Sequence, residues 1–210
     1  MRAGALAPYE QALDDAGTLS LLAEDGRLLS LEVARWLAPA DCADATVVER
    51  CRGPVLDVGC GPGRFVRALA ERGTASLGLD IAGTAVTLTR QLNVPALLRS
   101  VFDPAPAEGR WPTVLLMDGN IGIGGDVARL LGRVAGLLGP GGQLLVETAR
   151  DRWVDRTMRV RFSRGGDPLG PSFDWAEVGL AALRGYARDA GYCLDEVWSA
   201  GGRTFAALVR

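Results

Sequence analysis

The stretch Val55-Leu56-Asp57-Val58-Gly59-Cys60-Gly61-Pro62-Gly63-Arg64-Phe65 constrains the fold more than any other part of the chain. Val55, Leu56 and Val58 form a short apolar run rich in β-branched residues, the mark of a buried strand. Gly59, Gly61 and Gly63 remove side chains where the backbone must turn tightly or lie close to a ligand. Phe65, Val66, Leu69 and Ala70 then resume at helical spacing. A glycine turn between a strand and a helix leaves unpaired N–H groups facing a pocket, which suits a nucleotide or a carboxylate. The other reading is a tight strand–helix turn and nothing more; the surrounding pattern favours binding.

From Val55 onward the chain alternates strand and helix. Apolar runs predict strands over 54–58, 76–80, 96–101, 113–118 and 142–148, with helices over 63–72, 83–92 and 126–138. That order predicts an α/β fold with a mostly parallel sheet covered on both faces. Gly73, Pro95 and the run Gly139-Pro140-Gly141-Gly142 supply the helix breaks. Asp80 ends the second strand, where an acid can accept hydrogen bonds from both ribose hydroxyls of an adenosine. Ile81 would then lie beside the adenine. Before this unit, runs at 18–24 and 27–33 flank Asp25-Gly26, a hairpin signal, and helices are expected over 33–37 and 41–51. After it, alternation over 157–163 predicts an extra strand with an apolar inner face and outward arginines. Phe173-Asp174-Trp175 is read as opening a helix over 175–190, and the chain closes with a hairpin, 192–199 and 203–209.

Spacing separates two nucleotide-type readings. The dinucleotide fingerprint G-x-G-x-x-G/A needs its third small residue where this chain has Arg64, because the third glycine arrives early, at Gly63. Asp57-x-Gly59-x-Gly61-x-Gly63 instead resembles motif I of the class I S-adenosylmethionine (SAM)-dependent methyltransferases. The resemblance extends over 53–210 and includes the "PGG" turn before the fifth strand and the closing hairpin. It implies a Rossmann-like seven-stranded sheet with the last strand inserted antiparallel, and residues 1–52 as an N-terminal cap segment. It implies SAM as cofactor, with Asp57, Gly59, Cys60, Gly61, Gly63, Asp80, Ile81, Phe102, Asp103, Asp118 and Gly119 around it. Phe102 and Asp103 take the place of the family's adenine-contacting residues. Asp118-Gly119-Asn120-Ile121 stands at motif IV without the prolines of base and amide methylases, which implies a small-molecule acceptor. Tyr9, Asn120, Arg150, Phe173 and Trp175 are the candidate acceptor contacts, and Tyr9 and Trp36 the aromatic residues that an N-terminal segment would lay over SAM. A nicotinamide-dependent oxidoreductase and a SAM-binding regulator are the rival functions.

Composition narrows the chemistry. All 23 basic residues are arginine, and the chain lacks lysine and histidine, which excludes a histidine base, a lysine Schiff base and a histidine-ligated metal. Methyl transfer from a sulfonium needs a base only when the acceptor holds its proton at neutral pH. The remaining bases are Asp118, Glu147, Asp174, Glu177 and Tyr9; Asp118 and Glu147, at strand C-termini, are preferred. Six arginines between 150 and 164 read as a solvated strand face before they read as an anion site. The net charge of −2 gives no general pull toward nucleic acid or membrane. Four scattered cysteines without C-x-x-C spacing and the lack of a membrane-length apolar run lead to the expectation of a cytoplasmic protein with reduced thiols.

Overall fold

The structure is a computed structural model that describes residues 5–210. The N-terminal part contains α1 (Ala7–Asp15), β1 (Leu19–Ala23), β2 (Leu28–Leu31), α2 (Val33–Leu37) and α3 (Cys42–Arg50). The nucleotide-type unit follows as β3 (Val55–Val58), α4 (Arg64–Glu71), β4 (Ser76–Asp80), α5 (Gly83–Gln91) and β5 (Ala96–Leu98). Next come β6 (Trp111–Leu116), a 3₁₀ turn (Asn120–Gly122), α6 (Val127–Leu137) and β7 (Leu138–Thr148). The chain ends with β8 (Asp155–Arg164), β9 (Asp167–Val178), α7 (Leu180–Asp189), β10 (Cys193–Ala200) and β11 (Arg203–Val209).

Seven strands form one sheet in the order β10-β11-β7-β6-β3-β4-β5. β3 pairs in parallel with β4 and β6, and β11 inserts antiparallel between β7 and β10. Both faces are buried, so the central strands lack polar alternation but still divide their side chains by period two. Leu56, Val58, Val114, Leu116, Leu144, Val146, Ala206 and Leu208 face α6 and α7 through Leu130, Leu131, Val134 and Leu183. Val55, Leu115, Met117, Leu145, Phe205 and Ala207 face α3 and α4 through Val47, Val48, Phe65 and Leu69. Strand order reverses at β3, the place where an open α/β sheet leaves a crevice beyond its strand C-termini.

A second, antiparallel sheet of four strands, β2-β1-β8-β9, lies beside that crevice. It joins the expected N-terminal hairpin to the arginine-rich segment through pairs such as Leu21 with Phe162 and Ala23 with Val160. Its inner residues Leu19, Leu21, Ala23, Val160 and Phe162 pack on Ala12 and Leu13 of α1, Val33 of α2, and Ala82 and Ala85 at the start of α5.

Several boundaries differ from expectation, among them β6, expected over 113–118 and found at Trp111–Leu116. Residues 167–178 are strand, so Phe173, Asp174 and Trp175 lie on β9 and the helix begins only at Leu180. The open edge of β8 recruits this segment, and pairing outweighs local helix signals. The third strand stops at Leu98 rather than continuing to residue 101. Gly141, with φ +70°, belongs to a β7 that starts at Leu138, and the β6–β7 register slips there.

Phe205 is fully buried and stacks on Trp198 with ring centroids 5.4 Å apart. Truncation there leaves a cavity between sheet and helices. Phe205→Ala should lower unfolding free energy by about 3–5 kcal/mol, with the urea midpoint falling and the m-value unchanged.

Candidate functional site

The glycine turn after β3 is set by close approach. Gly59, Gly61 and Gly63 have φ of +71°, +54° and +92°. A Cβ on Gly59 would fall 2.5 Å from Asn120 Nδ2, and one on Gly63 would fall 2.7 Å from Thr89. Asn120 Nδ2 donates at 2.9 Å to the carbonyl oxygens of both Val58 and Gly59, tying the loop after β6 to this turn. Thr89 Oγ1 donates to the Gly61 carbonyl at 2.9 Å. The Leu79 carbonyl accepts from the Gly59 and Cys60 N–H groups at 2.8 and 3.0 Å.

Asp80 stands at the tip of β4 against that turn. Its Oδ2 accepts from the Gly61 N–H at 2.9 Å and its Oδ1 from the Ala82 N–H at 2.8 Å. Each oxygen keeps a further lone-pair direction, so the carboxylate is oriented and still able to accept from a ligand. Burial raises its pKa, against the lowering effect of those N–H groups.

Behind the turn lies a buried network of arginines and carboxylates. Arg64, 3 % exposed in its side chain, contacts Asp44 Oδ2 through Nη1 and Asp118 Oδ2 through Nη2 at 2.5 Å. Arg203 donates to both oxygens of Glu147, at 2.9 and 2.6 Å, and to Asp44 Oδ1 at 2.6 Å. Arg35 of α2 reaches Asp118 Oδ1 at 2.8 Å. Glu147 Oε2 also accepts from the Asp118 N–H at 2.9 Å. Burial works to raise the pKa of Asp44, yet its bonds to Arg64 and Arg203 hold it low. Burial is likewise outweighed for Glu147 by Arg203. Asp118 is raised, first by burial and then by the Glu147 charge, with Arg64 and Arg35 acting in the other direction.

Asp57 lies in this charged floor without an arginine partner among the described residues. It is 2 % exposed, and its Oδ2 has no hydrogen-bond partner among the described residues. Burial first, then the Asp118 charge, raises its pKa to about 7. An unpaired buried carboxylate at the edge of a cleft is a place for a ligand cation.

The cleft is a cavity of about 690 Å³, within the range of roughly 300–1,000 Å³ typical of small-molecule sites. Among the expected SAM contacts, Asp57, Gly59, Cys60, Gly61, Asp80, Ile81, Phe102 and Asp118 line it. Tyr9, Asn120, Phe173 and Trp175 also line it, together with Trp36 and Asp174. The other candidates lie elsewhere. Gly63 turns its open side to Thr89, and Gly119, with φ +85°, sits beside Trp175 without reaching the cavity wall. Asp103 is exposed outside it, its carbonyl accepting from Arg133, because the chain turns away after Phe102. Arg150 is exposed on the loop after β7 and takes no part. Glu147 is held behind Asp118 by Arg203 and does not face the cavity.

The candidate bases are therefore few. Tyr9 is held far above the usual tyrosine pKa by burial and by the charge of Asp80, so it stays a phenol. Glu177 pairs with Arg156 at 3.2 Å, away from the cavity. Residues that sequence reading did not single out for the site are Arg35, Asp44, Phe162 and Arg203. Nothing in their local pattern marks them: Asp44 reads only as the N3 partner of a capping box with Asp41, which it also forms.

Two outcomes follow from the network. Arg203→Met leaves Glu147 and Asp44 without their main cation, and should cost about 3–5 kcal/mol in urea unfolding. Asp57 binds a proton in the folded protein over the window from about pH 4 to about pH 7, where the unfolded chain has lost it. In the ligand-free protein this contribution favours folding at the acid end and is lost as pH rises through 7. Asp57→Asn should thus raise unfolding free energy at pH 8, leave it nearly unchanged at pH 4, and flatten the pH–stability curve between them.

Residues 32–195 match the protein-family model described as a methyltransferase domain. The fold is similar to that of a SAM-dependent methyltransferase from Bacteroides fragilis, solved in complex with S-adenosyl-L-homocysteine (SAH). The TM-score is 0.76 at 21% identity, over 96% of this chain and 92% of that one. It is also similar to the 1,6-didemethyltoxoflavin-N1-methyltransferase of Burkholderia thailandensis, with a TM-score of 0.61 at 16% identity over 80% and 76% of the two chains. A third similar structure is the CcbJ methyltransferase of Streptomyces caelestis, with a TM-score of 0.60 at 16% identity over 79% and 93%. A seven-stranded sheet with one antiparallel strand, a glycine turn at its switch point and a domain match over most of the chain agree, and the chain belongs to the class I SAM-dependent methyltransferases.

Proposed function

We propose that this chain transfers the methyl group of SAM to a small-molecule acceptor at oxygen, nitrogen or carbon. The observation that carries this reading is Asp80, oriented by two backbone N–H groups at the tip of β4 and directly against the glycine turn. SAM, when bound, supplies an activated methyl group on a sulfonium, open to in-line displacement by the acceptor. Asp80 accepts from both ribose hydroxyls with the lone pairs its backbone donors leave free. Asp57, unpaired and buried, takes the cationic amino group at the methionine end. Ile81 and Phe102 hold the adenine between them, and Asn120 fixes the turn against which the cofactor lies.

The chain's work is alignment and exclusion of water. Asp118 lines the cleft but is engaged by Arg64 and Arg35, and Glu147 is engaged by Arg203, so neither is a free base. With Tyr9 held as a phenol, Asp174 is the candidate base that lines the cavity without an ion-pair partner among the described residues, and an acceptor with its own nucleophilic lone pair needs none. Within the expected 1–52 segment, α1, β1, β2 and α2 act as the cap and β8–β9 completes it over the cleft, whereas α3 packs on the large sheet with α4. A small-molecule acceptor is supported by the Burkholderia enzyme, whose structure holds 1,6-didemethyltoxoflavin beside SAH.

Calorimetry with SAH and with NADH tests the cofactor: SAH should bind and NADH should not, and the reverse result would sink the proposal. Asp80→Ala should weaken SAH about 100-fold, the effect of removing two hydrogen bonds to a charged group. SAH release from SAM in the presence of metabolite pools separates an enzyme from a SAM-binding regulator.

A further inference from the structure

Five aromatic rings line one side of the cleft in an unbroken series. Trp36 meets Tyr9 edge-on with centroids 5.9 Å apart, and Tyr9 stacks on Phe162 at 6.3 Å with 11° between the planes. Phe162 meets Phe173 at 5.1 Å, and Phe173 meets Trp175 edge-on at 6.5 Å. These rings come from α1, α2, β8 and β9, so separate segments of the chain converge to build one surface. Tyr9, Trp36, Phe173 and Trp175 remain half-buried and keep part of their surface open. Rings that served packing alone would be covered by their neighbours; these face the same cavity as the glycine turn.

Charge is distributed in the opposite way. The charged cavity residues Asp57, Arg64, Asp80, Arg99 and Asp118 belong to the strands, loops and first helix of the large-sheet unit, and the cap adds only Asp174. Arg64 is committed to Asp44 and Asp118, and Arg99 Nη1 donates to the Pro104 carbonyl. None of the six arginines between 150 and 164 lines the cavity. Arg156 pairs with Glu177, Arg159 with Glu24 and Arg164 with Asp15 instead. Arg35, beside Trp36 on α2, is paired through Nη2 with Asp118 and does not line the cavity, although its Nε and Nη1 have no partner among the described residues. The indole N–H of Trp36 is buried and has no partner among the described residues. Buried donors are rarely left so, and a ligand atom with a lone pair is a fitting partner.

Resting on the methyltransferase reading above, we propose that the acceptor is a planar aromatic or heteroaromatic small molecule without negative charge, stacked on the Trp36–Tyr9–Phe162–Phe173–Trp175 surface. Flat rings gain from offset and edge-on contacts that a saturated ring of equal size does not make. A pyridine-type ring nitrogen carries its lone pair at neutral pH and needs no base to accept a methyl group, which agrees with a site where Asp118 is held by Arg64 and Arg35.

The test measures binding of quinoline and benzimidazole to the SAH complex by calorimetry, with quinoline-4-carboxylate and the saturated bicycle 2-decalol as controls. Quinoline or benzimidazole should bind about tenfold more tightly than either control. Phe173→Leu and, separately, Trp175→Leu should weaken that binding about fivefold while SAH affinity stays unchanged. Equal binding of the carboxylate or of 2-decalol would overturn the proposal, as would no saturable binding of either aromatic probe at millimolar concentration. Loss of SAH affinity in both variants would also overturn it, since the rings would then serve the cofactor. If wild-type protein fails to bind SAH, the methyltransferase reading falls and this one with it; SAH binding without aromatic preference removes this one alone.

Discussion

The structure depends on the ion network beneath the glycine turn. Arg64 and Arg203 connect α3, α4, β7, β11 and the loop after β6 through Asp44, Glu147 and Asp118. Charges so far from water are costly unless their partners are fixed. The helices and strands that hold them are fixed by the apolar packing of Val47, Phe65, Leu69, Met117 and Phe205 around the same place. Core and network therefore form one unit. Asp57 lies at its edge, with Oδ2 unpartnered among the described residues.

That dependence explains why the site combines rigidity with a shortage of bases. Each carboxylate near the switch point except Asp57 is either oriented by backbone N–H groups, as Asp80 is, or neutralised by arginine, as Asp118 and Glu147 are. Such groups position and shield; they are poorly placed to take a proton. Under the proposed methyl transfer, reactivity comes from the two reacting molecules and the protein contributes geometry and dryness.

Much of this was legible in the chain. Apolar runs, glycine at Gly59, Gly61 and Gly63, and acids at Asp57 and Asp80 marked the large sheet and the turn beside its cleft, because those signals are local. Distances between remote segments left no such mark. Glu147 looked like a base because it ends a strand, and only the fold brings Arg203 onto it from the antiparallel neighbour. Residues 173–175 looked like a helix start because their partner strand, β8, is recognisable but its open edge is not. Arg150 and Asp103 stood near the right elements in sequence, and one turn of the backbone carried each outside the cavity.

The small sheet has a consequence for when the protein becomes complete. Its middle pairing joins β1, near the start of the chain, to β8, which follows the whole of the parallel unit. Contacts of such sequence separation form late, since a long loop must close before they are rewarded. The aromatic surface exists only once the two distant segments have met. The same bond pattern makes the cover a single piece: neither the leading hairpin nor the later one can lift away without tearing the sheet between them.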